Sequence, residues 1–381
     1  MDNPPMYRFG FIVEQALGHI THGKNLQALI PKAPDVQASW GFPAFETEGL
    51  AAKIPVYKSN WTIRAGWRTR ALVATMQRQA HQTGAPLDAL FFHTQVTAIL
   101  SPDWLKRIPS IVSLDGTPLQ YDALGAQYDH KTDPPWLENL KYRLNQLCYH
   151  RAARLVTWSA WAKESLVNDY GISAEKIIVI PPGVNVRAWL RPDHLSSPPP
   201  PSRGVADPVR ILFVGGNLAR KGGDLLLNAF RALRPTHPCE LHLVTRDTLP
   251  PEPGLFVYND MQPNSPALKH LYHTSDLFCL PTQGDFLPMV LSEAGAAGLP
   301  VISTRLAAIP EVVLHGETGL LTAPGNQAEL TTALRTLLEN PTLRQQMGQK
   351  ATETIQATFD AETNANYLLT LLKQVADQPR A

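Results

Sequence analysis

The fold is decided by Pro281–Val301, which reads PTQGDFLPMVLSEAGAAGLPV. An apolar run at 276–280 comes just before it and has the length of a buried strand. Gly284 then indicates a loop, good helix formers begin at Met289, and Gly298 followed by leucine and proline is a helix stop signal. The stretch therefore predicts a strand, a loop and a helix, with the next strand starting directly after the stop.

Two carboxylates lie in this stretch, Asp285 in the loop and Glu293 in the helix. Asp285 would lie at the carboxyl edge of a parallel sheet, where open α/β sheets bind ligands. The N–H groups of Phe286 and Leu287, at the start of the helix, are suited to an anion, and Glu293 is suited to a pair of hydroxyls. The residues leave two interpretations open: a site for a ligand with phosphates and sugar hydroxyls, or a helix-capping Asp285 and a solvated Glu293.

Length and composition narrow the class of protein. A chain of 381 residues predicts two domains, and a net charge of +1 gives no support to nucleic-acid binding. Three widely separated cysteines without metal spacing favour a reducing compartment. The N-terminus does not have the pattern of a signal peptide, and no apolar run is long enough to span a bilayer. We predict a cytoplasmic protein without a bound metal or cofactor.

Strand patterns alternate with helix patterns in both halves of the chain, which predicts parallel βαβ packing. Between the halves, residues 191–208 read RPDHLSSPPPPSRGVADP, a proline-rich and exposed linker. We predict an N-terminal domain at 1–190 and a C-terminal domain at 209–360, both α/β.

The second half opens with a strand at 209–214 and a glycine-rich basic loop, GGNLARKGG, at 215–223. Glycines such as Gly216 let a backbone approach a phosphate, while Arg220 and Lys221 add positive charge. The loop lacks the Walker A spacing. It is therefore either a phosphate-binding loop or an ordinary turn.

In the first half, polar residues follow predicted strands at the edge where α/β enzymes place their chemistry. Gly18 and His19 follow the first strand, His93 ends a second, and Asp115 and Thr117 follow a third. Each is a candidate for the site, although a helix cap or a loop hydrogen bond is an equally simple role for such residues.

Residues 53–78 contain six Lys or Arg residues and no acid, together with Trp61 and Trp67. This composition suits either a helix resting on the anionic inner face of a membrane or a solvated helix face with two packed tryptophans. Both interpretations stay open.

Taken together, these motifs resemble those of the family 4 glycosyltransferases with the GT-B fold. The resemblance covers nearly all of the C-terminal half and, more loosely, the N-terminal half. It is carried by five segments in the family's order: 180–185 (IPPGVN), 213–223 (FVGGNLARKGG), 285–298 (DFLPMVLSEAGAAG), 309–313 (IPEVV) and 316–321 (GETGLL).

The resemblance implies an α/β GT-B fold in which two Rossmann-like parallel-sheet domains face each other across a cleft. It implies that the C-terminal helix, 361–381, packs back on the N-terminal domain. It also implies that Glu293 binds the ribose of a nucleotide sugar, that Lys221 binds its phosphates, and that Asp285 faces the transferred sugar. Phe286, Leu287 and Pro288 would complete the donor site.

Three positions depart from the family's pattern. Asp285 stands in place of the usual glutamate, and Gly216 stands where many members have an arginine, whose charge Arg220 would replace. Leu114 precedes Asp115 where many members have a His-Asp pair.

The function that the resemblance implies is a retaining, metal-independent transfer of a sugar from a nucleotide-diphosphate sugar, UDP-, GDP- or ADP-linked, to a carbohydrate or lipid hydroxyl. Asp285, Asp115 and Lys221 are the predicted catalytic residues, and Gly18, His19, His93 and Thr117 lie on the acceptor side. Two alternatives are a catalytically silent nucleotide-sugar-binding partner protein and a sugar-nucleotide epimerase of the same fold.

Overall fold

The structure, a computed structural model, describes residues 6–16, 18–44, 61–128, 133–192 and 207–378. The chain divides into two α/β units. The first comprises Met1–Gly125, Lys131–Gly183 and Ala361–Ala381, and the second comprises Ala126–His130 and Val184–Asp360.

The first unit is built on a six-stranded sheet in the order β2-β1-β3-β4-β5-β6. The strands are β1 Tyr7–Val13, β2 Val36–Gly41, β3 Ala89–His93, β4 Ser110–Leu114, β5 Arg154–Thr157 and β6 Ile177–Val179. The helices are α1 His19–Leu29, α2 Trp61–Gln82, α3 Gln95–Ala98, α4 Pro102–Arg107, α5 Pro118–Ala123, α6 Pro135–Arg151 and α7 Ala160–Asn168.

The second unit is built on another six-stranded sheet, in the order β12-β11-β10-β7-β8-β9. A short helix, α8 Val186–Trp189, precedes its strands β7 Val209–Val214, β8 Cys239–Val244, β9 Leu255–Tyr258, β10 Leu277–Cys279, β11 Val301–Thr304 and β12 Gly319–Thr322. Its other helices are α9 Gly223–Leu233, α10 Pro266–Thr274, α11 Met289–Ala296, α12 Ile309–Val312, α13 Gln327–Glu339 and α14 Pro341–Thr358, and α15 Ala361–Ala376 follows.

All the strand pairings given for the two sheets are parallel. Parallel strands need crossover helices, which cover both faces of the sheet and make its strands apolar throughout. Every residue of β3 and β4 is buried for this reason. The parallel α/β architecture predicted from the alternating patterns is confirmed. One edge strand, β2, escaped prediction because it is only partly buried and its sequence, VQASWG, has no continuous apolar run.

The division between the units falls after Gly183, earlier than the predicted limit at residue 190. The N–H of Val184 donates to the carbonyl of Phe359 at 2.9 Å, and the fully buried ring of Trp189 packs edge-on against Tyr272 at 5.0 Å. These contacts attach 184–190 to the second unit. Residues 193–206 of the predicted linker lie outside the described residues.

The C-terminal helix α15 is part of the first unit. Its apolar residues Leu368 and Leu372 are buried in one core with Phe9 of β1, and Lys373 donates to Asp35 at 2.6 Å. The helix extends the N-terminal unit with a segment from the other end of the chain.

The basic segment 53–78 is described only from Trp61 onward, where it forms α2. One face of α2 is buried, and Trp61 donates to Glu14 at 2.6 Å. Trp67 is 61% exposed. Membrane contact through this segment stays a prediction. No helix in the described part of the chain is both long and apolar enough to cross a membrane.

Candidate active site

The glycine-rich loop of the second unit joins β7 to α9 at the carboxyl edge of the sheet. It closes on itself because the N–H of Gly223 donates to the carbonyl of Leu218 at 2.7 Å. Gly222 is the N-cap of α9, with a positive φ of 73° and no side-chain cap. Asp224 lies in the first turn without capping the helix, although its position before the apolar helix pattern suggests a cap.

Gly222 is required by both conformation and space. A Cβ on this residue would lie 2.0 Å from the carbonyl oxygen of Pro281, and its φ of 73° disfavours any L side chain. The loop after β7 and the loop after β10 therefore touch backbone to backbone at this point.

Gly222→Ala is expected to lower the free energy of unfolding by about 3 kcal/mol, because left-handed strain and a backbone clash add together. Chemical denaturation would measure the change. Gly18→Ala is a matched control, since Gly18 has a φ of −66° and no atom of the described residues lies within 4 Å of an added Cβ. It should shift stability by less than about 0.5 kcal/mol. Equal stability of the two variants would contradict the expectation.

Asp285 lies in the loop after β10 and is 8% exposed. The Nζ of Lys221 donates to its two carboxylate oxygens at 2.7 and 2.8 Å. Arg220 reaches Oδ1 at 3.2 Å and also donates to the carbonyl of Gly284, while Thr282 donates to Oδ2 at 2.6 Å. The structure thus brings together three of the predicted residues, Asp285, Lys221 and Arg220, and adds Thr282.

Glu293 lies on α11, is 6% exposed, and accepts a hydrogen bond from the hydroxyl of Tyr272 at 3.1 Å. Burial raises the pKa of Glu293 from 4.5 to about 7, against the opposing effects of the Tyr272 hydrogen bond and the positive charge of Lys269. The solvated glutamate considered as the alternative is therefore wrong. A buried carboxylate with one donor among the described residues is suited to accept further hydrogen bonds from a ligand.

The three predicted donor-site residues that follow Asp285 have different roles. The carbonyl of Phe286 accepts from the N–H of Ala308 at 3.2 Å, the side chain of Leu287 is buried, and Pro288 is the N-cap of α11. The helix begins at Met289, as predicted. Phe286 and Leu287 therefore precede the helix, and their proposed contacts with an anion stay a prediction.

Gly216 is exposed, and the space beside it is taken by a residue that the sequence did not suggest. A Cβ on Gly216 would lie 3.6 Å from Nε of Arg246. Arg220, the predicted substitute for the missing arginine, is instead paired with Asp285.

A second cluster lies at the carboxyl edge of the sheet in the first unit. His93 ends β3 and is fully buried, Asp115 follows β4, and His19 begins α1. Nδ1 of His19 lies 2.9 Å from Nε2 of His93, and Nε2 of His19 lies 3.7 Å from Oδ2 of Asp115. Three candidates far apart in sequence thus form one group.

Aromatic rings enclose this histidine group. The ring of Trp158 stacks on His93 at 5.2 Å between centroids, and His22 lies 4.9 Å from His93. Burial lowers the pKa of His22 to about 3 and lowers that of His93 well below its ordinary value. Burial also raises the pKa of Asp115 above its ordinary value, with His19 opposing and Glu14 adding to the effect.

The hydrogen bonds indicate which nitrogens carry protons. Nδ1 of His93 is buried and has no hydrogen-bond partner in the described part of the chain. Unpartnered buried N–H groups are rarer than unpartnered acceptors, so we infer that Nδ1 of His93 is unprotonated and that Nε2–H donates to Nδ1 of His19. In neutral His19 the proton then lies on Nε2, the atom that faces Asp115.

The remaining acceptor-side candidates have structural roles. The hydroxyl of Thr117 forms a capping box at the start of α5 and pairs with Ser165 at 2.8 Å. Gly18 is the exposed N-cap of α1. Sequence reasoning missed three further residues of these clusters. His22 and Tyr272 lie inside helices, away from any strand end, and Trp158 directly follows β5, where its position was a signal that went unused.

Curated relatives are similar to this chain over part of their length. Glycogen synthase of Mycobacterium tuberculosis is 27% identical over 250 residues, covering 59% of this chain and 56% of that protein. The D-inositol 3-phosphate glycosyltransferase of Pseudarthrobacter chlorophenolicus is 28% identical over 223 residues, covering 52% and 51%. The chain spans about half the length of the curated relatives it matches.

Solved structures match over nearly the whole chain. HepE of Anabaena, crystallised in complex with UDP, has a TM-score of 0.71 and 18% identity over 97% of this chain and 100% of that one. Sucrose-phosphate synthase of Thermosynechococcus elongatus has a TM-score of 0.72 and 16% identity, covering 97% and 99%. At these identities the likeness establishes the fold alone, and the predicted GT-B fold class is confirmed.

Family models match both units. The model described as Glycosyl transferases group 1 matches residues 208–340, and the model described as Glycosyltransferase Family 4 matches residues 35–188. The two matches together span most of the chain. The chain therefore belongs to the group 1 glycosyltransferases of family 4.

Proposed function

We propose that this chain transfers a sugar from a nucleotide-diphosphate sugar to an acceptor hydroxyl, with retention of the anomeric configuration and without a metal ion. The observation that carries the proposal is the grouping of Asp285, Lys221 and Arg220 beside a glycine loop, at the carboxyl edge of a parallel sheet. Ligands of α/β proteins bind at this edge.

Each part of the donor has a partner of suitable chemistry in the second unit. The diphosphate suits Lys221, a fixed cation next to the glycine loop, and the ribose diol suits the buried carboxylate of Glu293. Asp285 is left to accept hydrogen bonds from the hydroxyls of the transferred sugar. HepE of Anabaena was crystallised in complex with UDP and with UDP-glucose, which supports a nucleotide sugar as the donor class.

In the reaction, the bond between the sugar's anomeric carbon and the diphosphate oxygen breaks, and a bond to the acceptor oxygen forms on the same face. The acceptor's proton passes to the leaving phosphate, so that a nucleoside diphosphate and the glycoside are the products. Lys221 stabilises the negative charge that develops on the diphosphate. A preorganised donor of this kind acts where charge develops in the transition state.

The histidine cluster of the first unit supports an acceptor site there. His22 and His93 have lowered pKa values, so they are neutral at pH 7, and His93 holds His19 in position through their hydrogen bond. His19 and Asp115 remain to orient an acceptor hydroxyl through hydrogen bonds. Both are positioning residues in this proposal, because the leaving phosphate accepts the proton.

The proposal is tested by heating the protein with UDP-, GDP- and ADP-sugars and then assaying transfer. One class of nucleotide sugar is expected to raise the melting temperature by several degrees, since a ligand at 100 times its Kd adds about 2.7 kcal/mol. With an acceptor, NMR of the product should show the donor's anomeric configuration, and EDTA should leave the rate unchanged.

Other outcomes separate the alternatives. A protein that no nucleotide or nucleotide sugar stabilises would overturn the proposal. Binding without transfer or slow hydrolysis would favour a silent partner protein. Conversion of the donor to an isomeric sugar without an acceptor would favour an epimerase.

A further inference from the structure

Arg246 follows β8 by two residues and lies against the glycine loop. A Cβ on Gly216 would be 3.6 Å from its Nε, 3.8 Å from Cδ and 3.9 Å from Cζ. A Cβ on the neighbouring Gly215 would be 3.0 Å from Cγ of Lys221. The two glycines thus lie next to two different cationic side chains, one from the loop itself and one from the adjacent strand end.

The backbone around Arg246 is tied at several points. The carboxylate of Asp247 accepts from the N–H of Leu218 at 2.7 Å and from the hydroxyl of Thr245 at 3.2 Å. The side-chain amide of Asn259 donates to the carbonyls of Thr245 and Asp247 at 3.1 and 3.0 Å. These bonds join the ends of β7, β8 and β9 and hold Arg246 beside the loop.

Arg246 differs from its two cationic neighbours, Arg220 and Lys221, in its lack of a partner among the described residues. Its exposed guanidinium makes no hydrogen bond or ion pair among the residues that the structure describes. Lys221 and Arg220, by contrast, both pair with Asp285. Two positive charges and one negative charge leave that group with a net +1.

A net charge of +1 is smaller than the negative charge of the proposed donor's diphosphate. The diphosphate of a nucleotide sugar carries two negative charges, and a third develops as the sugar leaves, before the acceptor's proton reaches the phosphate. Phosphate oxygens that bind a guanidinium form strong, charge-assisted hydrogen bonds, often two at once. The N–H of Gly216 adds a further donor, since it too has no partner within the described part of the chain.

We propose that Arg246 binds the donor's diphosphate from the β8 side of the glycine loop, in space that a side chain longer than alanine at Gly216 would share. The inference rests on the proposed function, because it assigns a further binding residue to the same donor. In this proposal part of the positive charge beside the glycine loop comes from Arg246, 30 positions after Gly216.

The test compares binding of a nucleoside diphosphate with binding of the matching nucleoside, both measured by calorimetry. Arg246→Ala is expected to weaken the diphosphate by about 10- to 100-fold and to leave the nucleoside unchanged. Arg335→Ala removes another exposed arginine of the second unit and is the matched control. It should change neither affinity.

A second variant places the guanidinium on residue 216 instead of residue 246, so that it enters the same space from the glycine loop. The φ of Gly216 is outside the left-handed region, so an arginine is tolerated there, and the double variant G216R/R246A should recover much of the lost affinity for the diphosphate. If Arg246→Ala acted only by disturbing the turn after β8, the double variant would not recover this affinity.

The outcomes distinguish this inference from the proposed function. If the unaltered protein binds none of UDP, GDP and ADP, the proposed function fails, and the inference fails with it. If it binds one of them and Arg246→Ala binds it equally well, the inference about Arg246 alone is overturned. An equal loss of affinity for the nucleoside and for the nucleoside diphosphate would also overturn it. A nucleoside has no phosphate, so the loss of a phosphate contact cannot weaken its binding.

Discussion

Lys221→Ala is expected to lower the rate of glycosyl transfer by about 100- to 1,000-fold, the usual cost of removing one preorganised donor from a developing negative charge. Lys221 is 13% exposed and holds both oxygens of Asp285, so its ammonium group is fixed before any ligand arrives. Initial rates with saturating nucleotide sugar measure the loss. Lys350→Ala, on the exposed surface of α14, is the control and should retain full activity.

The same substitution leaves the buried carboxylate of Asp285 with fewer partners, which costs stability as well as activity. The double variant K221M/D285N removes both charges and so avoids an uncompensated carboxylate. It should be folded, as judged by circular dichroism and a cooperative melt, and still inactive. A folded double variant with the unaltered rate would show that Lys221 has no part in transfer.

Glu293→Gln is expected to stabilise the protein at pH 8 by up to about 3 kcal/mol, although it removes a proposed ligand of the donor. The pKa of Glu293 is about 7 in the folded protein and 4.5 without burial. Between these values the folded state keeps a proton that the unfolded state has lost, so stability falls as pH rises. The penalty is absent below pH 4.5 and complete above about pH 7.

An amide at position 293 stays neutral and can keep its hydrogen bond with Tyr272, so it escapes this penalty. Urea unfolding at pH 4.5 and pH 8 measures the effect: the two proteins should be equally stable at the lower pH and differ at the higher. Glu353→Gln, on an exposed surface, is the control and should behave like the unaltered protein. If Glu293→Gln were less stable at pH 8, ionised Glu293 would be stabilising rather than strained.

Donor affinity should change with pH in the opposite direction to stability. A ribose diol donates to a carboxylate, so the ionised form of Glu293 binds better, and affinity for a nucleotide sugar rises as pH rises through about 7. Glu293→Gln should bind about 10- to 100-fold more weakly at pH 8, with little dependence on pH. A nucleotide sugar is the proper probe, because its diphosphate does not titrate in this range.

The predictable parts of the fold are those that depend on the local sequence pattern, that is, on apolar runs, glycines and helix stop signals. The strand, loop and helix around 281–301 follow from an apolar run, a glycine and a stop signal, and the structure has β10, α11 and β11 there. The spacing of Asp285 and Glu293 predicted a ligand site, and the structure buries both carboxylates. The edge strand β2 has weaker patterning, and the boundary at Gly183 depends on the packing of Trp189, which no local rule indicates.

The contacts that complete the two clusters depend on strand order instead. His19 meets His93 because β1 and β3 are neighbours in the sheet, with 74 positions between the two histidines. Arg246 reaches Gly216 because β8 pairs with β7. A single arginine after a strand has no distinguishing spacing, so nothing in the sequence separated it from other surface arginines.

The ion pair between Lys221 and Asp285 also opposes the binding of other anions at Lys221. The Asp285 carboxylate competes with any incoming anion for Lys221. Because both groups belong to the same chain, the carboxylate competes at an effective concentration of about millimolar or higher. A free anion that binds Lys221 takes the closest cation from Asp285, which keeps Arg220 and Thr282, and it offers the carboxylate no donor in exchange. A nucleotide sugar brings hydroxyls that re-engage the displaced carboxylate, so discrimination against simple anions is built into the resting state of the loop.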